Sequence, residues 1–151
     1  MTQETSGGIP PWLNAMMTFI LRSPLHPLVS KSITLITFTG RKSGKTYTTP
    51  VSYSQENNLV RIFTHAMWWK NLTGGAEVTL RLRGRDVRGS AEPVPDDKEA
   101  VAKDLREHLK IVRQDARFYG VAFDPDGQPN ADDIIRAAQD TIMVRIRLDS
   151  Q

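Results

Sequence analysis

Two stretches and two single residues carry side chains able to do chemistry. The first stretch is Gly40-Arg41-Lys42-Ser43-Gly44-Lys45. Its glycines free the backbone to present N–H groups, Ser43 adds a hydroxyl, and Arg41, Lys42 and Lys45 add three cations. Such a nest suits a phosphate or a carboxylate. A solvated hairpin loop has the same composition, and the stretch alone leaves the two readings even. The second stretch is Trp68-Trp69-Lys70-Asn71, where an indole can stack on a flat ring system or pack into a core. The single residues are His65 and Tyr119, whose polar tips could meet a substrate or move a proton. His26 and His108 read as structural.

Other chemistries are excluded by spacing. Gly40-x-x-x-Gly44-Lys45-Thr46 has three residues between its glycines where a nucleotide-binding P-loop has four. The residues after it, Tyr47-Thr48-Thr49-Pro50-Val51, read as a strand rather than the helix a P-loop needs. The three histidines lack metal-ligand spacing. Asp124-x-Asp126-Gly127 lacks the remaining ligands of a calcium loop and reads as a turn. No serine–histidine–acid set or carboxylate pair stands out, which is consistent with an enzyme whose cofactor supplies the chemistry.

The elements that must position these residues follow from periodicity. Residues 1–9 read as a flexible leader, and residues 10–151 as one domain. Trp12, Leu13, Met16, Met17 and Ile20 fall at helical spacing after Pro10-Pro11, and Ser23-Pro24 ends that helix. It would either pack on the domain or lie on a membrane surface. Strands are expected over Ser32–Thr39, Tyr47–Ser54, Leu59–Thr64, Glu77–Arg83, Asp86–Val94 and Thr141–Leu148, from their β-branched content and alternation. Pro50 puts the second of these at an edge or a bulge. A short helix is expected over Trp68–Thr73, a longer one from Pro95 to about Arg113, and a third capped by Asn130. Tight turns imply antiparallel pairing, and about six such strands close most simply into a small barrel with flanking helices, a mainly β (α+β) fold.

Composition sets the frame. The chain has 151 residues, 39% hydrophobic and 25% charged, with a net charge of +3, an ordinary globular balance. It has no cysteine, so disulfides and thiolate chemistry are excluded. Its apolar runs are too short to span a bilayer, and a cytoplasmic location fits. Residues 22–89 hold eleven Lys/Arg and three Asp/Glu; residues 90–140 hold seven and twelve. A positive half suits an anionic ligand. The strip Arg81, Arg83, Arg85, Arg88 lacks interleaved aromatics, so it reads as a solvated strand face or an electrostatic funnel rather than a nucleic-acid surface.

In order and spacing, Gly40-Arg41-Lys42-Ser43-Gly44, Thr48-Thr49-Pro50-Val51 and Trp68-Trp69-Lys70-Asn71-Leu72 resemble the deazaflavin-dependent nitroreductase family of split β-barrel flavin-binding oxidoreductases. The resemblance implies coenzyme F420, a deazaflavin with a phosphodiester and a glutamate tail, and hydride transfer to a quinone, a nitroaromatic or an activated alkene. It implies that Arg41, Lys42, Ser43, Gly44 and Lys45 hold the phosphate and tail. Thr48, Thr49 and Pro50 would line the ring, Trp68, Trp69 and Asn71 would form a second cofactor segment, and His65 and Tyr119 would face the substrate. Two departures stand out. Tyr47 occupies the family's arginine position, and Thr64-His65-Ala66-Met67 is shorter than the family's loop. They leave FMN as the alternative cofactor, and an FMN oxidoreductase or a non-catalytic flavin or fatty-acid binding module as rival readings. Monomer and homodimer are both open.

Overall fold

The computed structural model describes residues 33–149. The expected helix over residues 10–22 lies outside them, as does its membrane contact. Six strands form the frame: β1 Ile33–Thr39, β2 Thr46–Glu56, β3 Leu59–Thr64, β4 Ala76–Leu82, β5 Arg85–Val94 and β6 Ile142–Leu148. Every pairing is antiparallel, and the strands close into a barrel in the order β1-β2-β3-β6-β5-β4. The barrel expected from the tight turns is therefore what the chain forms. A 3-10 helix, Met67–Leu72, links β3 to β4. Between β5 and β6 lie α1 Lys98–Ile111, the short turn α2 Ala116–Tyr119 and α3 Ala131–Gln139.

Strand alternation sorts the side chains into two cores. On paired positions of β3 and β6, Ile62 and Val144 point into the barrel, while Phe63 and Met143 point outward. Outside, α1 and α3 cover Phe63 and Met143 with Val101, Leu105, Leu109 and Ile134. β3 is thus buried on both faces, which is why it reads as an apolar run. The Asn130 cap falls where expected, while α1 starts at Lys98 rather than at Pro95 because Asp97 caps it. Asp97 accepts from the Ala100 N–H and Asn130 from the Asp133 N–H.

The charge asymmetry becomes a clamp. Arg61 and Arg145 are cross-strand neighbours on the outer face of β3 and β6. Asp104 of α1, itself buried, lies 2.9 Å from Arg145 and 3.4 Å from Arg61. An acid from the negative half thereby docks the helices onto Arg61 of the positive half and Arg145 of the last strand.

Two seams in the barrel are short. β1 meets β4 only at Ile36–Thr37, and β2 meets β3 only over Tyr53–Glu56. Beyond Tyr53, β2 keeps its β1 ladder over Thr46–Ser52 but has no ladder to β3. Pro50 sits in this one-sided stretch, a local edge inside a closed barrel, where its missing N–H breaks no β2–β3 bond.

Candidate functional site

The turn between β1 and β2 is held from within. The Gly40 N–H donates to the Lys45 carbonyl at 2.7 Å, and the Gly44 N–H to the Gly40 carbonyl at 2.8 Å. Gly44 has φ +71°, the left-handed region glycine adopts cheaply. The Lys45 N–H donates to Ser43 Oγ at 3.1 Å, and Ser43 Oγ also bonds the Tyr47 hydroxyl at 3.0 Å. A Cβ on Gly40 would stand 2.6 Å from the Tyr47 ring, so only glycine lets that ring lie against the turn. Tyr47 thus braces the loop where the family's arginine would reach a ligand.

The second motif is brought to the first by one side chain. Asn71 Oδ1 accepts from the Arg41 N–H at 3.0 Å, and its Nδ2 donates to the Trp68 carbonyl at 3.0 Å. Both ends of the Asn71 amide are used, so it staples the 3-10 helix to the turn. Trp68 is buried to 1% exposure and stacks on Phe38, which stacks on Tyr47. Its ring belongs to the barrel core and offers no open face. Trp69 is half-buried against the same core.

Between turn and helix lies a cavity of about 270 Å³. Arg41, Lys42, Ser43 and Lys70 line it, together with Gly40, Tyr47, Met67 and Asn71. Lys70, Tyr47, Gly40 and Met67 are additions to the expected set, while Gly44, Lys45, Thr48, Thr49, Pro50, Trp68 and Trp69 do not line this cavity. Lys70 stood inside the second motif at a position with no fixed residue type, so only the fold reveals its role. The N–H groups of Lys42 and Ser43 have no partner among the described residues. Nor do the side chains of Arg41, Lys42, Lys45 and Lys70. Adjacent N–H groups without a protein partner beside uncompensated cations are features of an anion-binding nest.

The basic strip behaves differently. Arg81 pairs with Asp86, Arg88 with Glu77, and Arg83 bonds Gln55. These three cations are occupied, as in a structural strand face; Arg85 has no partner among the described residues.

Along β2, Thr48 shares a hydrogen bond with Thr37, while Thr49 and Pro50 are buried. His65 and Tyr119, far apart in sequence, meet edge to face at 5.8 Å. Phe118 stacks on His65 at 5.6 Å and stands edge-on to Tyr119 at 5.0 Å. His65 Nε2 bonds Thr141, and the Tyr119 hydroxyl donates to the Phe63 carbonyl at 3.4 Å. Burial pushes the Tyr119 phenol far above its ordinary value, and the nearby Asp115 adds to the rise. Tyr119 therefore keeps its proton. The Asp124–Gly127 segment is a turn, closed by the Gly127 N–H donating to the Asp124 carbonyl.

The F420H(2)-dependent quinone reductase family matches residues 24–122, which contain the turn, the 3-10 helix, His65 and Tyr119. The chain belongs to this family. It is an F420-dependent reductase, and coenzyme F420 is the cofactor the family implies. No curated protein matches it. Among solved structures, one described as a domain-swapped dimer aligns with a TM-score of 0.52 at 14% identity, covering 90% of this chain and 97% of that one. An F420-H2 dependent reductase aligns at 0.49 and 15% identity, covering 79% of this chain and 95% of that one. The first likeness concerns the fold alone. No helix among the described residues is long and apolar enough to cross a membrane.

Proposed function

We propose that this reductase passes hydride from reduced F420 to a quinone, and that the Gly40–Lys45 turn holds the anionic end of the cofactor. One observation carries the placement. Arg41, Lys42 and Lys70 surround a cavity of about 270 Å³ with no carboxylate among the described residues to neutralise them. Exposed charges left unpaired and converging are disposed for an anion. The unladdered edge of β2 over Thr48–Ser52 would lie beside the ring.

When bound, reduced F420 supplies the hydride. The chain's own residues bind, orient and exclude water. Lys42 and Lys70 hold the phosphate and tail. Arg41 sets the turn through its N–H on Asn71 and lends its guanidinium to the rim. Lys45 contributes from the far end of the turn. Tyr47 and Ser43 keep the loop shaped. The His65–Phe118–Tyr119 cluster offers an aromatic wall to a flat acceptor. Tyr119 serves there as a neutral hydrogen-bonding group, since giving up its proton would leave a buried phenolate near Asp115.

Fluorescence titration with F420 and, separately, FMN tests the cofactor site. Saturable micromolar binding of F420 alone is expected, and absence of F420 binding overturns the reading. Oxidation of reduced F420 by menadione, a nitroaromatic and an activated alkene, compared by kcat/KM, then tests the acceptor class. Quinone is expected to lead.

A further inference from the structure

A buried polar cluster outside the turn is not used by anything above. His108 of α1 is fully buried, and its Nε2 lies 2.8 Å from Asp115 Oδ2. The Ser52 hydroxyl of β2 donates to the same oxygen. His108 Nδ1 has no hydrogen-bond partner, so the tautomer with its proton on Nε2 suits the site. One carboxylate oxygen thus ties β2, α1 and the start of α2 together. A buried imidazole is costly, and here its one polar contact is that oxygen.

What the oxygen joins is informative. Ser52 follows Thr48 and Pro50 at every second position, so all three share one face of β2, on the stretch that has no ladder to β3. On the other side, Asp115 leads directly into Ala116–Tyr119. Ala116 is buried, and Gly120, at φ +71°, closes the turn through its N–H to the Arg117 carbonyl. That turn projects Phe118, which is 70% exposed, and Tyr119 toward His65. Held by Asp115, the turn cannot shift without breaking two hydrogen bonds.

We infer that Asp115 is a positioning residue, which with Ser52 and His108 registers the Phe118–Tyr119 wall against the cofactor face of β2 and so sets where a flat aromatic acceptor sits. This rests on the reductase reading above. The clamp touches no reacting atom; it fixes the spacing between two surfaces that do. A small misplacement of a bound reactant costs on the order of 10²-fold in rate.

The test uses the full chain. Asp115→Ala removes the oxygen that both donors share, while Ser52→Ala removes one donor and keeps the histidine pair. Ser52→Thr keeps the hydroxyl. F420 affinity by fluorescence, melting temperature, and KM and kcat for menadione are measured for each. The expected result is an acceptor KM raised about 5- to 30-fold in Ser52→Ala and Asp115→Ala, F420 affinity within about twofold of wild type, and near-complete rescue in Ser52→Thr. Unchanged KM and kcat in Ser52→Ala overturn the clamp, even if the melting temperature falls, because a purely structural tie would show only that fall. Wild-type protein that fails to bind F420 overturns the reductase reading, and the clamp with it.

Discussion

Two clusters of cations sit on the same barrel and are treated in opposite ways. On the helix-covered face, Arg61 and Arg145 share the buried Asp104, and Arg61 also reaches Glu56 at 2.9 Å. On the open end, Arg41, Lys42, Lys45 and Lys70 have no carboxylate among the described residues. The first cluster is closed by the protein's own acid and holds two layers together. The second is left for a ligand to complete. Counting charges does not separate them; asking which cations already have a partner does.

The contrast can be broken most forcefully at Asp104. Asp104→Ala leaves two arginines, one of them buried, without their shared acid, and the loss expected is about 3–5 kcal/mol of folding stability, read by urea denaturation. F420 affinity per folded molecule should not move. A stability loss below the scale of an exposed ion pair would mean the clamp is peripheral.

At the other cluster the sign reverses. Lys42→Ala should weaken F420 binding by about 1–3 kcal/mol, the scale of a charge-assisted hydrogen bond. Folding stability should not suffer, because no protein group loses a partner. F420 affinity should also fall as salt is added, since these charges are exposed and screened. Affinity unchanged in the variant removes Lys42 from the site.

Asn71 sharpens the comparison, being a tie rather than a charge. Asn71→Ala should cost about 0.5–1.5 kcal/mol in F420 affinity through a loosened turn, together with a modest drop in melting temperature. A variant that lost affinity with no change in melting temperature would instead place the amide on the ligand.

The smallest effect belongs to an exposed pair of the closed kind. Asp133 accepts from the Ala122 N–H and from Arg136, which hold its carboxyl below the ordinary 3.8. Its ionised form is therefore favoured in the folded state. That stability is present above the unfolded carboxyl's pKa and is lost as pH falls through the lower folded value. In Asp133→Asn, the acid limb of a melting-temperature profile should flatten slightly, with no change near neutrality.

Much of this was legible in the residues. Alternation in Glu77–Arg83, β-branched content in Ser32–Thr39, the acids after Pro95 and the Asn130 cap gave the strands and helices, with ends off by a few residues where ladders extend past the apolar stretch. β2 runs on to Glu56, for example, because Val60 and Leu59 are there to pair with Gln55 and Glu56. The α2 turn was not legible, being four residues stabilised by Gly120 and a buried Ala116 rather than by any periodicity. Trp68 and Trp69 looked alike in the sequence, and packing on Phe38 made one of them core.

The sequence by itself determined the antiparallel barrel, through alternation and tight turns, and through motif order the resemblance to an F420-dependent family. Only the tertiary structure decided which cations remain uncompensated, that β6 inserts between β3 and β5, and that Ser52, His108 and Asp115 converge on one oxygen. Those depend on contacts between residues distant in the chain, and local propensity carries no record of them.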